Sequence, residues 1–174
     1  MAVAGKKVLM VLPEFNFEDD EYALTRRMLE SRGAKVNVAS IRKGSVRGKK
    51  GTWVKVDMLV DEVKTWDYDA FIFVGGEGTR TIWHHPQVLK LAKDTDHKVQ
   101  GAIDLAPAIL AHANAHKDKR RRATAALAVA RMLAEKGFRF TGEPVVVDEK
   151  LVTASAPTYV QPFAQALLKT MESS

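Results

Sequence analysis

Short unbroken apolar runs alternate along the chain with longer stretches of helical spacing. Lys6–Leu12 (KKVLMVL), Ala70–Val74 (AFIFV) and Val99–Ile103 (VQGAI) each read as a strand buried on both faces, and Lys35–Ser40 (KVNVAS) as a further strand. After the first strand, Pro13–Asn16 breaks the pattern. Glu18–Arg32 then spaces Tyr22, Leu24, Met28 and Leu29 for a helix, with acids first, arginines later and Gly33 as its stop. Gly44–Asp57 reads as a hairpin or edge excursion, and Asp61–Tyr68 as a short helix or loop. Thr81–Asp94 predicts a helix interrupted near Pro86, and Ala106–Ala113 a further one. A minimal strand at Ala123–Ala125 precedes a helix at Ala126–Lys136 that Gly137 closes. Pro144–Val147 and Leu151–Ser155 flank a polar turn and predict a hairpin, and Thr158–Met171 a closing amphipathic helix. Strands alternating with helices imply one α/β domain over residues 1–174, with a mostly parallel sheet covered on both faces.

Within that pattern, VQGAIDLAPAIL (Val99–Leu110) is the most informative stretch. A buried strand breaks at Asp104 and runs straight into a helix, so the side chain at the break stands at the top of a parallel sheet, beside helix N–H groups. Sites in open α/β sheets form outside the carboxyl ends of strands. Three loops meet that description: the segment after Leu12 with Glu18 and Glu21, the turn Gly75-Gly76-Glu77-Gly78, and the Asp104 turn. Glu18 and Glu21 are three apart and share a helix face, whereas Asp19 and Asp20 are expected only to complement the helix dipole. Two carboxylates near residue 104 could not both ionise, so one would keep its proton. The amides of Gly75 and Gly76, with that of Leu105, are candidates for an oxyanion hole.

Composition narrows the chemistry. The 174 residues contain no cysteine, which excludes a disulfide framework, thiolate zinc sites and thiol catalysis. No apolar run approaches the ~20 residues that span a bilayer, and residues 1–7 lack a signal-peptide core; the cytoplasm is the expected compartment. The net charge of +6 is concentrated in Arg42–Lys50 (RKGSVRGKK) and Lys117–Arg122 (KDKRRR). Neither cluster is interleaved with aromatics or matches a nucleic-acid-binding motif, so both read as solvated loops without a specific nucleic-acid partner. His112 and His116 have a ligand-like spacing if the helix reaches that far, but a fraying helix end is the simpler reading. Asp104 and Glu21 could hold a cation, although a shared proton suffices. No metal or other cofactor is expected. Trp53, Trp66 and Trp83 read as core or interface fillers, and Thr153–Pro157 as a loop closing the pocket.

The ordered pieces KKVLMVL, FEDDE, VASIRKG, DYDAFIFVGGEG, AIDLAPAIL, KRRRAT and EPVVVDEKLVTASAP together resemble the ThiJ/PfpI superfamily over nearly the whole chain. That superfamily includes the parkinsonism-associated deglycase and the PfpI-type intracellular proteases. The resemblance implies a flavodoxin-like fold, assembly into homodimers or higher homo-oligomers, and a small carbonyl compound or peptide as ligand. It also implies a reactive cysteine at the elbow with a glutamate hydrogen-bonded to it. Those positions match Asp104 and Glu21, with Glu18 as the other recurrent acid and Gly75 and Gly76 as the glycine pair. Leu105 stands where some members carry histidine, and Ala125 and Ala126 where many carry a polar or aromatic residue. A carboxylate is a poor nucleophile and does not follow cysteine oxidation chemistry, though its shape and charge approach those of a cysteine sulfinate. The expectation is lost or much reduced protease, glyoxalase or deglycase activity and a binding or regulatory role. The alternative is a hydrolase or glyoxalase-type enzyme of the same family that uses Asp104, or a native cysteine replaced here, as the elbow residue; a carboxylate nucleophile would need a base for its second step, for which His84 and His85 are the nearest histidines in sequence.

Overall fold

Parallel pairing organises the chain. In the computed structural model, which describes residues 3–174, a seven-stranded sheet is built from β1 (Lys7–Val11), β3 (Lys35–Ser40), β6 (Met58–Leu59), β7 (Ala70–Phe73), β8 (Val99–Ile103), β11 (Val145–Asp148) and β12 (Leu151–Ala154). Their order is β11-β12-β8-β7-β1-β3-β6, with every pair parallel except β11 against β12. The alternation of side chains along β1 separates two cores. Val8 and Met10 join Leu29, Phe163 and Leu167 on one face, while Leu9 and Val11 join Phe71, Phe73, Ile109 and Leu133 on the other. Helices α1 (Asp19–Ser31) and α5 (Val160–Glu172) cover the first face; α2 (Pro86–Asp94), α3 (Pro107–His112) and α4 (Ala130–Glu135) cover the second. This is the α/β sandwich expected from the alternating pattern, in the flavodoxin-like form that the family resemblance implied. Among the described residues, no helix is long and apolar enough to cross a membrane.

Several elements differ from the sequence expectation in extent. The helix expected over Thr81–Asp94 begins only at Pro86, after a 3₁₀ turn over Glu77–Thr81. A residue before proline avoids the helical region, and His85 is extended (φ −71°, ψ 119°) with its Nδ1 accepting the Gln87 N–H at 3.3 Å. The helix expected over Ala126–Lys136 starts with a 3₁₀ turn at Leu127–Val129. Asp61–Tyr68 resolves into two 3₁₀ turns, Val60–Glu62 and Thr65–Asp67.

The excursion after β3 is a hairpin, β4 (Ser45–Gly48) against β5 (Trp53–Lys55), but it has a third member. β2 (Phe15–Phe17), read from sequence as part of a break, pairs parallel with β4. Likewise the minimal strand expected at Ala123–Ala125 is β9 (Arg122–Ala123), paired with β10 (Arg139–Phe140), a strand that no pattern in the sequence marks. Two-residue pairings carry too little periodicity to be seen in one dimension.

Asp19 also exceeds its expected role as a dipole partner. It is buried and accepts the Lys50 and Thr52 N–H groups at 2.7 and 2.9 Å, fastening the β4–β5 turn to the first turn of α1. Burial alone would raise its pKa, but hydrogen bonds from Thr52 and Lys50 outweigh it and hold the carboxylate below its ordinary value.

Candidate functional site

The β8–α3 junction is a strained elbow. Asp104 has φ +63°, a left-handed conformation that costs a non-glycine residue roughly 1–2 kcal/mol. Neighbouring backbone pins it there. The Asp104 N–H donates to Ala154 O at 2.9 Å, and the Asp104 carbonyl accepts the Ala126 N–H at 2.8 Å. The strand end at Ala154, in the segment expected to close the pocket, thus supports the elbow from beneath. Ala126, singled out by sequence only as a departure from the family pattern, holds it from the other side.

Gly75 and Gly76 follow β7 and lie directly against the elbow. A Cβ on Gly75 would collide with Ile103 O and would lie 2.9 Å from Asp104 Cβ and 2.8 Å from Glu21 Oε1. Only glycine fits a backbone pressed this closely between two acids. Gly76 has φ +106°, and its Cβ position would meet Asn16 O at 2.6 Å.

The expected oxyanion donors are all turned toward the chain's own carboxylates. Gly75 N–H donates to Glu21 Oε1 at 2.7 Å, and Gly76 N–H donates to Asp104 Oδ2 at 3.2 Å. The Leu105 N–H acts on the same carboxylate, helping to hold its pKa down. Leu105 itself is buried, its side chain part of the core beneath α3.

Glu21 is 1% exposed, on the buried face of α1, and its Oε2 has no hydrogen-bond partner. Burial, then the Asp104 charge, push its pKa well above the ordinary 4.5 despite the Gly75 N–H, and Glu18 adds to the rise. Asp104 is raised as well, chiefly by burial, with help from Glu18 and Glu77 and against the N–H groups of Gly76 and Leu105. Both acids are pushed toward the protonated form, Glu21 the further of the two, so Asp104 is the member that ionises first. Glu18 occupies the N-cap position of α1 and lies at the edge of this group, its Oε2 3.7 Å from Lys49 Nζ.

The histidines stand elsewhere. Among the described residues, no histidine hydrogen-bonds Asp104. His84 is exposed with its ring 4.3 Å from that of His112, and His85 caps α2. α3 ends at His112, so His112 and His116 do not share a helix face, and the ligand-like spacing is lost. His116 is buried, with Nε2 2.7 Å from Gln100 Oε1, and burial lowers its pKa to about 4. Among the described residues, no three His, Asp or Glu side chains come together as a metal site. Of the tryptophans, Trp83 is buried in the core, while Trp53 and Trp66 are exposed.

Comparison with known proteins agrees with this geometry. The chain is 34% identical over 169 residues to protein MJ0967 of Methanocaldococcus jannaschii, covering 95% of this chain and 82% of that one. It is 27% identical over 166 residues to deglycase PfpI of Pyrococcus furiosus, covering 94% and 99%. The crystal structure of a ThiJ/PfpI domain protein from Brachyspira murdochii superposes with a TM-score of 0.90 at 30% identity, over 98% of this chain and 99% of that one. The DJ-1/PfpI family model matches residues 6–170. With a parallel sheet, a strained elbow after β8, a buried glutamate and a glycine pair facing it, the chain belongs to the DJ-1/PfpI family.

Proposed function

We propose that this protein is a binding or regulatory member of its family, working as a homo-oligomer, in which thiol catalysis at the elbow has been lost. The observation that carries this reading is Asp104 itself. At the left-handed elbow stands a carboxylate that accepts the Gly76 N–H and whose charge raises the pKa of the buried Glu21. A thiolate there would attack a carbonyl carbon and leave that N–H group for the resulting oxyanion. A carboxylate occupies the donor instead and is a weak nucleophile. The pocket then holds in permanent form an anion of the size and charge of a sulfinate. Its ligands are small carbonyl compounds or peptides, bound without turnover.

Carboxylate catalysis is the second reading, favoured by the strain at Asp104, but among the described residues no histidine hydrogen-bonds Asp104 to act as the base that activates water. One experiment separates the two. Methylglyoxal consumption and peptidase turnover are measured for the chain and its Asp104→Cys variant at matched oligomeric state, established by sedimentation. Activity confined to the cysteine variant is the expected result. Turnover already present with Asp104 would overturn the proposal and leave carboxylate chemistry as the mechanism.

A further inference from the structure

The second basic cluster differs from the first in what surrounds it. In Arg42–Lys50, Arg42 lies 3.7 Å from Glu14, Lys49 3.7 Å from Glu18, and Lys50 3.2 Å from Asp20. After α3, by contrast, an open groove of about 540 Å³ is lined by Lys117, Arg120, Lys136 and Arg139. None of these four pairs with a carboxylate among the described residues. Two acids also line the groove. Glu135 faces Arg131 at 3.7 Å, so Asp118 is the one left without a cation.

The backbone of the same loop adds an independent feature. Left-handed φ recurs at every second residue: Asn114 (56°), His116 (59°), Asp118 (67°) and Arg120 (49°). Alternating handedness turns successive N–H groups toward one concave side, the arrangement that cradles anions in phosphate-binding loops. Here the N–H groups of Lys117, Asp118, Arg120 and Arg121 have no acceptor among the described residues. The loop is held from behind. His116 N–H donates to Asp96 Oδ2 at 3.0 Å, its ring meets Gln100, and Arg122 N–H donates to Asp148 Oδ2 at 2.8 Å. At the end of α4, the Met132, Leu133 and Ala134 carbonyls accept from Lys136, Gly137 and Phe138.

We infer that the groove between the 114–121 loop and the end of α4 binds a compact phosphate-bearing anion, a short polyphosphate chain of the kind carried by nucleotides. Four unpaired cations supply attraction, and the free N–H groups supply directed donors that a merely solvated lysine cluster lacks. This site lies apart from the elbow and does not depend on the function proposed there.

Tripolyphosphate tests the inference by calorimetric titration of the intact protein, with backbone amide shifts followed by NMR. Binding is expected at low salt, weaker at high salt, with shifts concentrated at Lys117–Arg121 and Gly137–Arg139. The Lys117→Gln/Arg120→Gln and Lys136→Gln/Arg139→Gln pairs should each weaken it by about tenfold. Asp118→Gly, which keeps the left-handed backbone and removes the one unpaired acid, should tighten it. The charge-matched Arg42→Gln/Lys43→Gln pair should leave it unchanged. Absence of binding at low salt, or equal losses from the 42/43 pair and the groove pairs, would overturn the inference. So would amide shifts scattered over the surface.

Discussion

Left-handed, non-glycine backbone gathers N–H donors at two places in this molecule, and the two places use them in opposite ways. At the elbow, the Gly75 and Gly76 N–H groups are taken by Glu21 and Asp104, and the Leu105 N–H acts on the same Asp104 carboxylate. In the loop from Asn114 to Arg121, four N–H groups face no acceptor among the described residues, and most of the charged side chains nearby are cationic. The elbow has supplied its own anion, whereas the loop is left receptive to one. One side chain makes the difference at the elbow, where the Asp104 carboxylate accepts the Gly76 N–H. Availability of donors, rather than their number, separates the two regions.

The largest expected effect comes from breaking the close approach at the elbow. Gly75→Ala forces a methyl against the Ile103 carbonyl and Asp104 Cβ, where backbone cannot yield, and should cost about 3 kcal/mol in urea unfolding. A loss under a few tenths would mean that the elbow is looser than its geometry. Next in size is Asp19, which satisfies the first basic segment internally. Asp19→Ala strands the Lys50 and Thr52 N–H groups and should cost about 2 kcal/mol. Because its folded pKa is depressed, that contribution is present above the unfolded value near 3.8 and disappears as pH falls through the folded one. Wild type and Asp19→Ala should therefore converge in acid, and parallel pH profiles would refute the assignment.

Glu21 has the opposite sign. Its folded pKa is raised, so its stabilising effect is complete below the unfolded value of 4.5 and is lost as pH rises through the folded value. Glu21→Gln retains an oxygen for the Gly75 N–H and removes the titration. It should be more stable than wild type by on the order of 1 kcal/mol at alkaline pH, with the advantage shrinking in acid. A pH-independent difference between the two would show that Glu21 is not the proton holder. The smallest effect sharpens the comparison from the loop side. Asp118→Gly relieves a left-handed residue without removing any hydrogen bond and should stabilise by about 0.5–1 kcal/mol in thermal melts. Destabilisation there would indicate that the Asp118 side chain holds the loop.

The alternation of apolar runs and amphipathic stretches was sufficient to place the strands and helices of the main sheet, because burial on two faces leaves a continuous hydrophobic signature. Pieces that escaped were those whose pairing is distant and brief. Phe15–Phe17 is three residues long and finds its partner thirty residues later. Glu18, Glu21, Gly75, Gly76 and Asp104 were legible as one edge of the sheet, since each follows or flanks a strand end. Which acid faces which amide was not legible. Nor was the contribution of Ala126, whose only functional atom is a backbone nitrogen common to almost every residue.

By itself, the sequence determined the α/β alternation, the absence of a thiol, and a carboxylate at a strand-to-helix break. These are properties of local pattern and residue identity. Only the tertiary structure decided that Glu21 is the buried partner while Glu18 sits at the rim beside Lys49. It also decided that His116 leaves the helix, and that the basic segment 117–122 curls into a cradle while the segment 42–50 is largely neutralised. Charge and hydrogen-bonding capacity are written in the chain. Whether they are satisfied depends on which distant groups folding brings within three or four ångströms.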